Sequence, residues 1–250
     1  MEVRRKAITD YINGCGNVSF AQLKKQFPDV SEMTLRTDLK YLDEEKLIVR
    51  IHGGARSVQV VIGTDDYFNV RMQRSLENKQ LIARKAADLV KKDAVIYIDS
   101  GSTTTSMAKI MPDQSDIIYT SGISCAIEMA RLEKANVNIP GGKLNRYSMS
   151  VCGVDTYAEL SNISFDQVFM GTTAFSEEAG FTCGDKSEAI VKQMILEKSG
   201  QVIMLMDSSK IGKVSTFRFG DLRNVDVLVS DDRLPEEFIK KCKSENITII

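Results

Sequence analysis

Along the first fifty residues the apolar positions recur three and four apart. Val3, Ala7, Ile8, Tyr11 and Ile12 predict a helix that stops at "NGCGN" (13–17). "VSFAQLKKQF" (18–27) predicts a second, with Ser19 as N-cap, Gln22 completing a capping box, and Val18 and Leu23 placed as a hydrophobic staple. A third runs through "VSEMTLRTDLKYLDEEKL" (30–47), with Ser31 at its N-cap and Val30 stapled to Leu35; Pro28 breaks the chain between the two. The period then changes. "LIVRI" (47–51) and "SVQVV" (57–61) are β-prone runs flanking "HGGAR", where Gly53 and Gly54 can take the positive φ of a tight hairpin turn. Three short helices followed by a hairpin outline a winged helix-turn-helix over residues 1–61.

Residues 62–78 show little periodicity and read as a linker. From Lys79 to Ile250, strand-like runs alternate with helical ones: 94–99, 116–120, 137–139, 167–170, 201–206 and 225–230. That alternation predicts a second, α/β domain, with a mainly parallel sheet covered on both sides. Ligands of such sheets bind at the carboxyl ends of the strands.

The third helix can be read by face. At about 100° per residue, Leu35, Leu39 and Leu42 share one arc, while Met33, Thr37, Lys40 and Tyr41 lie opposite, flanked by Thr34 and Arg36. The second face offers hydroxyls, cations and an aromatic, suited to phosphates and base edges, although Asp38, Asp43, Glu44 and Glu45 cluster in and after the second turn. On one helix alone the same pattern equally describes a solvated surface. Charge is neutral on the point: residues 1–56 hold 10 Lys and Arg against 8 Asp and Glu, in a chain of net charge −1. The hairpin decides it, because its wing sets Arg50, His52 and Arg56 where they reach the DNA backbone or minor groove. His52 is the only histidine in the chain. A catalytic base needs an orienting partner and a pocket, and zinc needs further His or Cys nearby; a hairpin tip supplies neither. His52 reads as a wing residue.

The five cysteines are scattered with no C-x-x-C pair, which points to reduced thiols, no metal site and the cytoplasm. There is no signal-peptide pattern and no apolar run approaching the roughly 18 residues of a membrane span. No cofactor motif is present: the G-x-x-x-x-G-K-[ST] spacing of a nucleotide loop is absent.

The strand ends of the second half are polar. At "DSGSTTTSMAKI" (99–110) a buried strand ends at Asp99, Ser100 and Gly101 turn, and Ser102, Thr103 and Thr104 open a helix. Free N–H groups, hydroxyls and the positive helix end make a phosphate or carboxylate cradle there, or else an ordinary Ser/Thr N-cap. "TSG" (120–122), "PGGKLN" (140–145), "MGTT" (170–173) and "MDSSKIGK" (206–213) end other strands, and together they favour one anion-binding crevice.

"SEMTLRTDL" (31–39) followed by "LIVRIHGGA" (47–55) resembles the DeoR-type bacterial transcriptional regulators, whose signature is S-x-x-T-[IV]-R-R-D-[IL] and then R-x-H-G-G-A. Thr37 departs from that pattern, standing where the second arginine is expected. The second half resembles their sensor domain: Arg71 with "ENKQLIARKAA", "IDSGSTT", "PGG" with "SVCG", "FDQVFMG", "GFT" and "DSSKIG". The resemblance implies a fold like ribose-5-phosphate isomerase and a phosphorylated sugar as effector. It further implies that the Ser100–Thr104 turn holds the phosphate, with Gly141, Asp166 and Lys210 around the sugar and Asp99 among the effector-binding residues. The expected protein is a repressor of a carbohydrate operon, not an enzyme. It reads double-stranded operator DNA as a dimer or tetramer through Ser31, Thr34, Arg36, Thr37, Lys40, Arg50, His52 and Arg56. Two alternatives stay open. One is an isomerase-like enzyme with a DNA-binding appendage, using Asp99, Asp166 and Lys210 for proton transfer; the other is an activator.

Overall fold

The computed structural model describes residues 2–15, 17–45, 47–51, 53–57 and 68–250, so that His52 and the run 58–67 lie outside it. The chain divides into two compact units, Met1–Asp65 and Asp66–Ile250.

The first unit runs α1 (Glu2–Cys15), β1 (Asn17–Ser19), α2 (Phe20–Gln26), α3 (Glu32–Glu44), β2 (Ile48–Ile51) and β3 (Gly54–Ser57). Both helix starts are fixed by side chains. The Ser19 hydroxyl accepts the Gln22 N–H while the Gln22 carboxamide accepts the Ser19 N–H; Ser31 accepts the Thr34 N–H. Ile8, Ile12, Val18, Leu23, Leu35, Leu39, Leu42, Ile48 and Ala55 close one core. Within reach of that core lies a charge. Asp38, only 1% exposed, receives Arg4 Nε at 2.6 Å and Arg5 Nε at 2.8 Å, tying α1 to α3. Burial alone would push the Asp38 carboxyl up; the hydrogen bonds from Arg4 and Arg5 outweigh it and leave it below its ordinary value.

The wing differs from its sequence outline in two ways. β1 adds a third strand, antiparallel to β3; three residues between a glycine and a helix cap show no period of two. β3 also starts at Gly54, inside the run read as turn, and of the second β-prone run only Ser57 is among the described residues. The two glycines therefore serve different ends. Gly53 has φ +79°, whereas a Cβ on Gly54 would lie 2.2 Å from the Val18 carbonyl oxygen of β1.

The second unit opens with α4 (Phe68–Gln73) and α5 (Leu76–Ala87), so helix already covers most of 68–78. Its centre is a seven-stranded sheet in the order β15-β14-β12-β9-β4-β5-β6, every neighbouring pair parallel. The strands are β4 (Val95–Ile98), β5 (Ile117–Thr120), β6 (Asn136–Asn138), β9 (Gln167–Gly171), β12 (Val202–Leu205), β14 (Val227–Val229) and β15 (Thr248–Ile249). Alternate residues face opposite ways. Tyr97, Val168, Met170 and Met204 enter one core, and Ile96, Ile98, Phe169, Ile203 and Leu205 the other. The first core takes in α9 (Lys186–Lys198) and α10 (Glu236–Ser244); the second takes in α5, α6 (Ser102–Ile110) and α7 (Ile123–Met129). Two small additions have no counterpart in the sequence reading. One is the hairpin β7 (Lys143–Asn145) and β8 (Ser150–Cys152), followed by α8 (Val154–Leu160); the other is an antiparallel sheet of β10 (Ala174–Ser176), β11 (Gly180–Cys183) and β13 (Phe217–Gly220).

From β4 the chain adds β5 and β6 on one side, then returns to place β9, β12, β14 and β15 on the other. The order reverses between β4 and β9, and their carboxyl ends flank the crevice where ligands of such sheets bind.

Removing the Asp38 carboxylate leaves two arginines without their buried partner. Asp38→Ala should cost the first unit about 3 kcal/mol, read as a lower denaturant midpoint, whereas Lys40→Ala should leave that midpoint unchanged.

Candidate functional site

At the reversal point Asp99 follows β4 directly. Its carboxylate, 1% exposed, accepts the N–H of Gly171, the last residue of β9, at 3.0 Å. Across it comes Lys192 of α9, itself 5% exposed, which forms an ion pair with Asp99 and donates to the Gly171 carbonyl at 3.0 Å. Burial pushes the Asp99 carboxyl up, and Lys192 and the Gly171 N–H pull it only part of the way back. One buried pair thus joins the ends of β4 and β9 to α9.

The turn after Asp99 opens onto α6. Gly101 has φ +143° and no side chain caps the helix start. Ser100 and Ser102 are buried. Thr104 is fully buried and its hydroxyl donates to the Gly101 carbonyl at 3.0 Å, so it braces the turn instead of facing a ligand. The uncapped N–H groups, with Ser100, Ser102 and Thr103, remain for an anion.

A cationic group stands in the same unit. Lys79 of α5, 4% exposed, donates from Nζ to the carbonyls of Arg71 and Arg74, closing the α4–α5 turn. Lys210 lies in a short 3-10 turn after β12, capped by buried Asp207. Burial, together with the charges of Lys210, Arg71 and Arg74, brings Lys79 down to about 8 against the opposing pull of Asp207. Lys210 is lowered by burial, Lys213, Arg71 and Arg74, again against Asp207. Lys79 and Lys210 thus both feel the charges of Arg71 and Arg74, and Asp207 opposes the lowering of each. α4 and α5 both pack on α6.

The far wall is polar too. Tyr97 Oη and Ser121 Oγ are 2.8 Å apart. Glu188, on the first turn of α9, accepts from the β7–β8 hairpin: Ser150 Oγ at 2.5 Å, Asn145 Nδ2 at 3.2 Å, and Ser148 Oγ. Tyr97, Asp99, Ser100, Ser121, Glu188 and Lys192 line a cleft of about 10 Å³, room for roughly one water.

The structure thus gathers Asp99, Ser100, Gly101, Ser102 and Thr103, and groups Lys210 with Lys79. Two expected effector residues stand apart. Asp166 precedes β9, at the amino end of the sheet, roughly 15 Å from Gly171 along the strand; it is exposed and accepts the Val95 N–H at 2.8 Å. Gly141 is exposed and bonded to α8, donating to Glu159 Oε2 at 2.9 Å and accepting from Thr156 Oγ1 at 2.7 Å. Asp99, Asp166 and Lys210 therefore form no proton-transfer trio. Lys192 and Glu188 were missed because, four apart on a helix, they look like an ordinary charged face.

In the first unit α3 exposes Met33, Arg36, Thr37, Lys40 and Tyr41 and buries Leu35, Asp38, Leu39 and Leu42. The Ser31 and Thr34 hydroxyls bond each other at 2.8 Å, and Thr37 Oγ1 donates to the Met33 carbonyl at 2.9 Å. The Arg36 guanidinium lies 4.3 Å over the Phe20 ring, and Lys40 Nζ is 3.8 Å from Glu44. Asp38 is buried and paired with Arg4 and Arg5, and Asp43 accepts the N–H of exposed Arg50 at 3.0 Å. Arg56 pairs through its backbone with Val49 and Asn17; His52 lies outside the described residues.

Among the described residues no cluster of His, Cys, Asp or Glu could hold a metal, and no helix is long and apolar enough to cross a membrane. Cys125, Cys152, Cys183 and Cys242 are free and buried.

A three-stranded winged helix-turn-helix, in one chain with a parallel α/β unit whose strand ends meet at a polar crevice, defines a DNA-binding transcriptional regulator with a sensor domain. The family comparisons agree. The DeoR-like helix-turn-helix domain matches residues 4–61 and the DeoR C terminal sensor domain matches residues 74–232; the chain belongs to the DeoR family, one of regulators and not of enzymes. It is 31% identical to the HTH-type transcriptional regulator GolR of Listeria innocua, over 88% of this chain and 87% of that one. It is 29% identical to the HTH-type transcriptional regulator GlpR of Haloferax volcanii, over 99% and 96%. A putative aga operon transcriptional repressor of Escherichia coli O157:H7 is 28% identical, over 99% and 92%. Ribose 5-phosphate isomerase A of Methanocaldococcus jannaschii is a structural neighbour at TM-score 0.39 and 15% identity, over 53% of each chain; nothing about the site follows from so loose a likeness.

Cutting the Asp99–Lys192 pair on one side should cost more than removing both charges. Lys192→Met should lower stability by about 3 kcal/mol, and the double change Asp99→Asn with Lys192→Met should recover most of that in chemical denaturation.

Proposed function

We propose that this regulator is a cytoplasmic repressor of a carbohydrate operon whose hold on DNA is set by a phosphorylated sugar. The observation that carries the reading is the group Arg71, Arg74, Lys79, Lys210 and Lys213, in a unit where the start of α6 is uncapped. A phosphate dianion is complementary to such cations and to the N–H groups of Ser102 and Thr103 at the helix start.

On the DNA side, α3 enters the major groove. Arg36, Thr37 and Lys40 meet phosphates and base edges, Ser31 and Thr34 hold the helix start against the backbone, and Arg50, His52 and Arg56 follow with the wing. Two such units on a two-fold operator make the working species a dimer or a tetramer. Effector binding biases the arrangement of the paired units, for which a differential affinity of a few kcal/mol suffices. The names of relatives fit this reading: an aga operon repressor and a regulator called GlcR are among them.

Fluorescence anisotropy on DNA from upstream of the protein's own gene tests both halves. Binding should be salt-sensitive, and one phosphorylated sugar should reverse it while its unphosphorylated form does not; a complex indifferent to every sugar phosphate would remove the effector reading. Arg36→Ala and Lys40→Ala should each weaken DNA binding by about 1–2 kcal/mol and leave sugar-phosphate affinity unchanged in calorimetry.

Lys79 gives a pH signature. Its folded value, about 8, lies below the unfolded 10.5, so between those limits the unfolded chain holds more protons and stability rises with pH. Denaturation series from pH 7.5 to 10 should show that rise in wild type and its loss in Lys79→Met, and saturating sugar phosphate should flatten the wild-type curve.

A further inference from the structure

On the outward face of α3 several polar groups are already engaged within the protein. Thr37 Oγ1 donates its hydrogen to the Met33 carbonyl at 2.9 Å, and the Thr34 and Ser31 hydroxyls share one at 2.8 Å. The Arg36 guanidinium lies 4.3 Å over the Phe20 ring, and the Arg5 guanidinium covers Tyr41 at 3.6 Å. Among these groups lies an apolar pair. Met33 is 81% exposed, as open as any large apolar side chain among the described residues. Thr37, also exposed and four residues on, shares its face and offers a methyl group. Leu35, Asp38, Leu39 and Leu42 are buried on the opposite side, so the pair is held outward.

Position along the helix matters as much as polarity. α3 starts at Glu32, which puts Met33 and Thr37 in its first two turns, and a recognition helix reads base edges with its N-terminal residues. Position 37 is also where the DeoR signature has the second of two arginines. An arginine would bring a fork of donors, the group that fits O6 and N7 of guanine. Thr37, its hydrogen held by the backbone, has no donor to give, and a thioether has none at all. Neither side chain can therefore bond the acceptors N7, O6 and O4. What remains for them is apolar contact, and the thymine 5-methyl is the one methyl group on the major-groove edges of the four bases. Arg36 and Lys40, each three residues from a member of the pair, set positive charge beside it, which suits a duplex and not an apolar protein surface.

We infer that Met33 and Thr37 form an apolar reader that selects thymine by its 5-methyl group, so that each operator half-site carries a thymine against the first two turns of α3. This rests on the reading of α3 as the helix that enters the major groove.

Replacing single thymines by deoxyuridine tests it, because the change removes the 5-methyl and leaves every hydrogen-bonding group in place. A site is first selected from random duplexes with the full chain, and fluorescence anisotropy then gives the affinities. At least one thymine in each half-site should lose about fourfold when its methyl is removed, the worth of one buried carbon. Changing both half-sites should lose about fifteenfold. Thr37→Ser keeps the hydroxyl bond and drops only the methyl; combined with Met33→Ala it should bind the thymine and deoxyuridine duplexes equally. Thr37→Val, which keeps the methyl and drops the hydroxyl, should still prefer thymine.

Equal affinity of wild type for thymine and deoxyuridine at every position would overturn the inference, and so would an undiminished preference in the double variant. Either result leaves the selected site, and with it the reading of α3, in place. A chain that selects no sequence over random duplex would overturn both.

Discussion

The buried pair of Asp99 and Lys192 is the constraint on which the sensor unit turns. A carboxylate at the carboxyl end of β4, shut away from water, is tolerable only with a cation on it. The cation arrives from α9, and the N–H that completes the carboxylate comes from the end of β9. The pair therefore fixes where α9 crosses the sheet and how closely β4 and β9 approach. Gly171 fits this closeness, since a Cβ there would meet Asp99 Oδ2 at 3.3 Å. Once α9 is placed, Glu188, one turn earlier, is carried to the cleft wall, and the Ser100–Thr104 turn has a rigid floor.

The DNA-binding unit uses the same device at smaller scale. Asp38 sits in the middle of α3 with the leucines but is held by two arginines of α1. The helix proposed to face DNA is thereby held against rotation by charge as well as by Leu35, Leu39 and Leu42. Its outward face keeps Arg36 and Lys40, and Arg36 is braced on the Phe20 ring. The cations proposed to meet the DNA backbone are thus mounted on a helix held against rolling.

Much of this could be read in the chain itself, because the signals were local. Caps at Ser19 and Ser31, the leucine arc of α3 and the apolar runs of six sheet strands depend on neighbours within one or two turns. The features that escaped were set by partners far away in sequence. β1 exists because β3 lies beside it, and Asp99 and Lys192, 93 positions apart, carry no local trace of their pairing. Asp166 misled for the same reason. A carboxylate next to a strand looks functional from either end, and only the direction of β9 shows that it stands at the amino edge. The polar strand ends were legible as a class, whereas their division into cradle, brace and cationic group was not.

The seven-stranded sheet is bounded by its weakest members, β6 with three residues and β15 with two. Edges that short present few unpaired N–H and C=O groups, so they make poor templates for a strand from another molecule. Protomers of the proposed dimer would then be joined through side-chain surfaces instead of a β-ladder running from copy to copy. Such a seam can slip by an ångström or two and settle again, whereas a shared ladder moves only in whole-residue steps.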